Sequence, residues 1–242
     1  MRRQPRPEAP ADPVAAIDWE EIAASLDERG YVTTPPLLSA AACRDVAAQY
    51  SKDDAFRSRV VMQRHNFGRG EYKYLRYPLP APVQQLRQAI YPHLAPIANG
   101  WRERLREAGR FPPSLDAYLA ECHKAGQQRP TPLILKYEPG DYNCLHQDLY
   151  GELVFPLQLT ILLSAPGEDF SGGEFLLVEQ RPRAQSRGTA VVLPQGHAVV
   201  FTTRDRPVES QRGWSAAPVR HGVSVVRSGV RHTLGLVFHD AA

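Results

Sequence analysis

The spacing of apolar positions changes once along this chain, near residue 130. Before that point, apolar residues recur at helical spacing in separate stretches. Ile22 and Leu26 share one face of a helix that starts at Asp18 and stops at Gly30, a residue that readily leaves helical backbone. Ser39 can N-cap a second helix over residues 40–50. Helical periodicity returns over residues 83–108 and 114–124, until Pro130 and Pro132 end it. Residues 52–80 read as irregular, because Asn66, Gly68 and Gly70 interrupt Phe67, Tyr72, Tyr74 and Tyr77.

From Leu133 onwards, short apolar and β-branched runs alternate with glycine and proline: LILKYE, FPLQLTILLS, GEFLLVE, TAVVLP, HAVVFTT, HGVSVV and HTLGLVF. Many short strands with turn signals predict a sandwich or barrel. The expected fold class is α+β: a jelly-roll core (a double-stranded β-helix) with N-terminal helices packed on its outer sheet. Residues 1–13, rich in proline and charge with nothing to bury, are expected to be a disordered tail. Residues 14–242 are expected to form one domain, with a helical layer over 14–130 and the jelly-roll core over 131–242.

Composition narrows this reading only a little. A formal charge of +3 permits contact with nucleic acid or an acidic peptide without demanding either. Cys43, Cys122 and Cys144 are odd in number and lack metal-finger spacing, which argues for a reducing compartment and against a disulfide scaffold. No apolar stretch approaches the ~20 residues that span a bilayer, and no apolar signal core follows the first arginines. A cytoplasmic protein with no membrane partner is expected.

The chemistry is concentrated in the β-rich half. Residues i and i+2 of a strand face the same side, so His146 and Asp148 can aim at one ion while Gln147 points away. An imidazole and a hard carboxylate together suit Fe(II) better than a thiolate-loving metal. His146-x-Asp148 alone is weak evidence in a chain with 8 histidines. The conjunction carries more weight: His146-x-Asp148 closes one predicted strand, His221 begins another, and Arg231 opens the last. An arginine beyond the last ligand can grip a carboxylate with two parallel hydrogen bonds. His197, His232 and His239 are assigned structural or solvated roles, Cys144 that of a small buried hydrophobe, and Gly172-Gly173 that of a turn into a strand.

Over about residues 131–240 the chain resembles the 2-oxoglutarate/Fe(II)-dependent dioxygenase superfamily, in its prolyl-4-hydroxylase-like branch. The resemblance is carried by Tyr137-Glu138-Pro139-Gly140-Asp141-Tyr142 ahead of His146-Gln147-Asp148, by Phe170-Ser171-Gly172-Gly173-Glu174-Phe175, and by His221-Gly222-Val223 leading through Gly229-Val230 to Arg231. It implies Fe(II) on His146, Asp148 and His221, and 2-oxoglutarate as co-substrate with O2. Ascorbate is a further expected cofactor. Arg231 would hold the far carboxylate of the oxoacid, with Tyr137 and Thr233 adding hydroxyl contacts. Some relatives carry a tyrosine on the strand after the first ligands, where this chain reads Leu159-Thr160-Ile161, so Thr160 is the expected replacement donor.

The implied reaction is hydroxylation of a C–H bond with release of succinate and CO2, on a protein or peptidyl-proline substrate. The alternative is a nucleic-acid demethylase or alkylation-repair oxygenase, encouraged by arginine-rich stretches at residues 57–76 and 181–187. A non-catalytic jelly-roll binding module is the remote third reading, and it predicts a broken ligand set. Residues 60–79 are expected to form a mobile cover over the metal, with aromatic and basic side chains that suit an extended peptide or a single nucleic-acid strand.

Overall fold

The computed structural model describes residues 12–148, 151–181, 184–211 and 213–242. The helical expectations hold with small shifts at the ends. Helix α1 (Trp19–Arg29) begins where the Asp18 carboxylate accepts from the Glu20 and Glu21 amides, and ends where Gly30, at φ 78°, returns its N–H to the Leu26 carbonyl. Ser39 caps α2 (Ala40–Ala48), and Ser114 caps α4 (Leu115–Lys124). The long α3 (Ala81–Leu105) starts after Pro80 and carries Pro92 and Pro96 inside it. Residues 1–11 of the expected tail lie outside the described residues, as do residues 182 and 183 of the second arginine-rich stretch. Asp12 already caps a turn through the Val14 and Ala15 amides.

The strands are β1 (Tyr31–Thr33), β2 (Phe56–Val61), β3 (Gly68–Arg69), β4 (Glu71–Leu75), β5 (Leu133–Tyr137), β6 (Tyr142–His146), β7 (Leu157–Leu162), β8 (Phe170–Gly172), β9 (Phe175–Glu179), β10 (Arg187–Val191), β11 (Ala198–Thr202), β12 (Asp205–Ser210), β13 (Gly213–Val223), β14 (Val226–Gly229) and β15 (Arg231–Leu236). A seven-stranded sheet runs β1-β11-β7-β15-β5-β4-β2, and a six-stranded sheet runs β10-β9-β13-β6-β3, with β12 paired to β13. This is the expected α+β jelly roll.

Alternation along the central strands explains its layering. On β7, Leu157, Leu159 and Ile161 face outward into the apolar layer formed with the four helices, whereas Gln158 and Thr160 face a cavity between the sheets. On β15, Leu234 and Leu236 join the same outer layer while Arg231 and Thr233 face the cavity. The polar residues of these apolar runs therefore share one inner wall. A second apolar cluster, including Leu162, Phe175, Leu177, Val199, Phe201 and Val219, fills the rest of the space between the sheets.

Three expectations need correction. Residues 14–130 are not purely helical, since β1, β2 and β4 extend the seven-stranded sheet and β3 borders the six-stranded one. Residues 52–80 are not irregular throughout, since β2, β3 and β4 run through them, and Gly68 serves close approach: a Cβ there would lie 2.4 Å from the Tyr142 carbonyl oxygen. HGVSVV is not one strand either. His221 lies near the end of β13, and the chain breaks at Ser224 and Val225 before β14. Among the described residues, no helix is long and apolar enough to cross a membrane.

Candidate metal centre

β6 and β13 run antiparallel, and His146 and His221 are direct register partners. Two residues 75 positions apart in sequence thus meet across one ladder. The strands approach so closely here that a Cβ on Gly222 would stand 2.7 Å from the Asn143 carbonyl oxygen, which is why glycine follows the histidine. Beyond β6 the chain stays attached to the barrel through the Asp148 amide, which donates to the Thr203 carbonyl at 3.1 Å.

The ligand atoms of His146, Asp148 and His221 all lie within 4.8 Å of one another. His146 Nε2 is 3.5 Å from Asp148 Oδ1, and His221 Nε2 is 3.2 Å from Asp148 Oδ2. His146 Nδ1 lies 2.8 Å from the Cys144 carbonyl, which can only accept, so Nδ1 carries the proton and Nε2 keeps its lone pair toward the site. The His221 ring is clamped by Phe175 and Phe201, at centroid distances of 6.0 and 4.8 Å. Asp148 Oδ2 also accepts from Gln158 Nε2 at 2.6 Å.

Charge in this cluster suits cation binding. Burial alone would raise the Asp148 carboxyl, but the two imidazoles outweigh it and hold the group well below the usual carboxylate range. Burial pushes His221 down, toward its neutral form. Burial also opposes charge on His146, yet the adjacent Asp148 carboxylate prevails and raises it. Two imidazoles and one hard carboxylate, with one tautomer already fixed, are the donor set of a non-haem ferrous site with open positions.

The same cavity, of about 340 Å³, is lined by every residue singled out from the sequence: Tyr137, His146, Asp148, Thr160, His221, Arg231 and Thr233. Arg231 is 3% exposed, yet its Nε and Nη1 make no hydrogen bond. The guanidinium lies 5.6 Å from the Tyr137 ring centroid and 5.8 Å from that of Phe170. Burial pushes it down to about 10, which still leaves it charged at neutral pH. A buried cation with unpaired N–H groups is costly unless an anion answers it, and a carboxylate entering the cavity has the matching fork geometry. Tyr137, the register partner of Arg231, is wholly buried beside it, and its hydroxyl completes no hydrogen bond. Gly173, at φ 64°, does more than turn the chain: a Cβ there would stand 2.7 Å from Arg231 Cδ.

Other histidines are structural. His197 Nδ1 meets the Thr34 carbonyl at 2.9 Å, His232 packs against the Tyr50 ring, and His239 Nδ1 accepts from the Phe155 amide. Cys144 departs from its expected role: it is exposed and lines the cavity mouth. The cover over residues 60–79 is a wall built into both sheets, with Met62 and Tyr72 buried against Tyr137 and Val223. Its Asn66, Phe67, Tyr72 and Tyr74 line the cavity, and Phe67 remains 47% exposed, stacked on His65. Gln158 was not singled out from the sequence, although a lone amide inside FPLQLTILLS is a signal that could have found it.

Residues 70–241 match the Oxygenase-NA family, described as an oxygenase catalysing oxidative methylation of damaged DNA. The uncharacterized protein Rv2227 of Mycobacterium tuberculosis is 64% identical over 165 residues, covering 68% of this chain and 71% of that protein. Among solved structures, a Pseudomonas putida prolyl-4-hydroxylase matches with a TM-score of 0.53 at 14% identity, over 93% of this chain and 99% of that one. A Burkholderia pseudomallei oxidoreductase of the 2OG-Fe(II) oxygenase family matches with a TM-score of 0.52 at 14% identity, over 94% of each. At such identities the likeness is one of fold.

Proposed function

Because this chain belongs to the Oxygenase-NA family and has the fold of the 2-oxoglutarate/Fe(II) oxygenases, we propose that it oxidises the C–H bond of an alkyl group on a damaged nucleic-acid base. The observation that carries the oxygenase part is Arg231, a buried guanidinium with two unpaired nitrogens, in the same cavity as the two histidines and one aspartate. The nucleic-acid part rests on the family's description and on the aromatic side chains Phe67, Tyr72 and Tyr74 that line that cavity. The peptidyl-proline substrate expected from the motifs is the competing outcome.

In this reading His146, Asp148 and His221 hold Fe(II), and Arg231 holds the far carboxylate of 2-oxoglutarate. Bound iron and oxoacid supply the O2-dependent oxidation, which releases succinate and CO2 and leaves one oxygen on the substrate carbon. The protein's own work is placement. His146 presents Nε2 because the Cys144 carbonyl retains the Nδ1 proton. Tyr137 and Thr233 offer hydroxyls near Arg231, and Thr160 offers one from β7. Phe175 and Phe201 wall the His221 side of the cavity with apolar surface, which keeps bulk water away from the ligands.

Phe67 gives a base a flat face at the mouth. Its carbonyl accepts from the Cys144 amide at 2.9 Å and its amide donates to Met62, so the ring is presented from fixed backbone. The test supplies Fe(II), 2-oxoglutarate and O2 together with either a methylated single-stranded oligonucleotide or a proline-rich peptide. Succinate release coupled to loss of the methyl group is expected with the oligonucleotide. Coupled hydroxylation of the peptide alone would replace the nucleic-acid reading, and succinate release independent of Arg231 would overturn the site assignment.

A further inference from the structure

Asp148 has two carboxylate oxygens, and the fold treats them differently. Oδ2 accepts a 2.6 Å hydrogen bond from Gln158 Nε2 and lies 3.2 Å from His221 Nε2, whereas Oδ1 lies 3.5 Å from His146 Nε2. Gln158 is 5% exposed and lies on β7, between Leu157 and Leu159, which point to the opposite face. A buried amide in an apolar strand is costly unless it is satisfied. β7 is a well-fixed platform, since it pairs with β11 through Phe201 opposite Gln158 and with β15 on its other side. Asp148, in contrast, lies beyond the end of β6, and its amide bonds to the Thr203 carbonyl outside any strand. A rigid inner strand therefore holds the side chain of a ligand that stands outside regular structure.

We infer that Gln158 is a positioning residue of the metal centre. By engaging Oδ2 it stops the Asp148 carboxylate from rotating about its Cβ–Cγ bond, and it leaves the carboxylate to meet the ion through one oxygen. The open positions of the site then stay available to co-substrate and O2. The inference rests on the proposed metal site and adds to it a residue on a different strand from any ligand. Carboxylate ligands depend on such outer hydrogen bonds, and losing one typically weakens metal binding about 10- to 100-fold.

The test is an anaerobic Co(II) titration, followed by visible absorption, of wild type, Gln158→Met and Gln158→Leu. Both variants put an apolar side chain of similar volume in place of the amide and lose the donor. The expected result is Co(II) binding at least about tenfold weaker than wild type, with an altered cobalt spectrum because the freed oxygen can reach the ion. The circular dichroism of the metal-free variants should match that of metal-free wild type, which separates positioning from loss of the fold. Wild-type affinity and spectrum in a folded variant overturn the inference while leaving the metal site intact. Failure of wild type itself to bind Co(II) overturns both. Should neither variant fold, the side-chain amide proton resonances of Gln158 in Zn(II)-loaded wild type decide. A downfield proton shielded from exchange is expected, and the position of a free amide would overturn the inference.

Discussion

Replacing Arg231 with methionine should stabilise the metal-free protein and cripple co-substrate binding. The two effects have one cause. Arg231 is 3% exposed, and its Nε and Nη1 lack partners. Burial lowers its pKa from the ordinary arginine range to about 10. That drop corresponds to ~3 kcal/mol against the charged form. The sign follows from proton binding: the folded state holds its proton less tightly than the unfolded chain, so the penalty is fully present below pH 10 and is relieved only as pH rises above it. Methionine fills similar volume without a charge, so the metal-free variant should gain up to ~3 kcal/mol. For a chain of this size that is a rise in melting temperature of roughly 6–12 °C at most. The same substitution removes two charge-assisted hydrogen bonds to the oxoacid, each worth about 1.5–3 kcal/mol. The apparent KM for 2-oxoglutarate should therefore rise at least about a hundredfold. Differential scanning calorimetry without ligand, paired with succinate release at varied 2-oxoglutarate, reads both quantities. A metal-free variant less stable than wild type, or an unchanged KM, would refute the reasoning.

Other substitutions test the remaining parts. Arg231→Lys keeps the charge but loses the fork, so KM for 2-oxoglutarate should rise about tenfold, less than for methionine. His146→Ala should weaken anaerobic iron binding by more than about 100-fold, and retention of wild-type affinity would remove His146 from the site. Phe67→Ala should weaken binding of a methylated single strand by about 1–3 kcal/mol and Phe67→Trp should restore it, as read by fluorescence anisotropy; equal loss in both would deny the stacking role. Burial pushes His232 and His239 down to about 4. The unfolded chain then takes up more protons than the fold between about pH 6.5 and 4, so the stabilisation is complete above that window and is lost as pH falls through it. Each group contributes up to ~3 kcal/mol, and urea unfolding at pH 7 and 4.5 should show the fall; equal stabilities would contradict it.

The runs FPLQLTILLS and HTLGLVF marked β7 and β15 as strands, and the fold then turned Leu157, Leu159 and Ile161 outward and Thr160, Arg231 and Thr233 toward the cavity. His146 and Asp148 were legible because they are near in sequence, although the strand argument holds only in part: His146 ends β6 and Asp148 lies beyond it. The meeting of His221 with them depends on β13 pairing with β6, which no local pattern encodes, and it was reached through resemblance to a family. Residues 52–80 read as irregular, although β2, β3 and β4 run through them, because glycine signals both looseness and close approach, and only the Tyr142 carbonyl beside Gly68 tells the two apart. Gln158 was hidden for a related reason: its importance lies in a partner ten residues away, across the cavity. Cys144 was misplaced because its environment is set by the edge of the cavity mouth and not by its neighbours in sequence.

The measurement that tests the account most directly is anaerobic calorimetry of 2-oxoglutarate binding, with and without Fe(II), to wild type, His146→Ala and Arg231→Met. One oxoacid should bind per wild-type chain, far more tightly with Fe(II) than without it, because the ion and Arg231 grip opposite ends of the same molecule. His146→Ala should abolish the gain from iron, and Arg231→Met should weaken binding even with iron present. Binding of equal strength in the presence and absence of iron, or unaffected by loss of Arg231, would contradict the account.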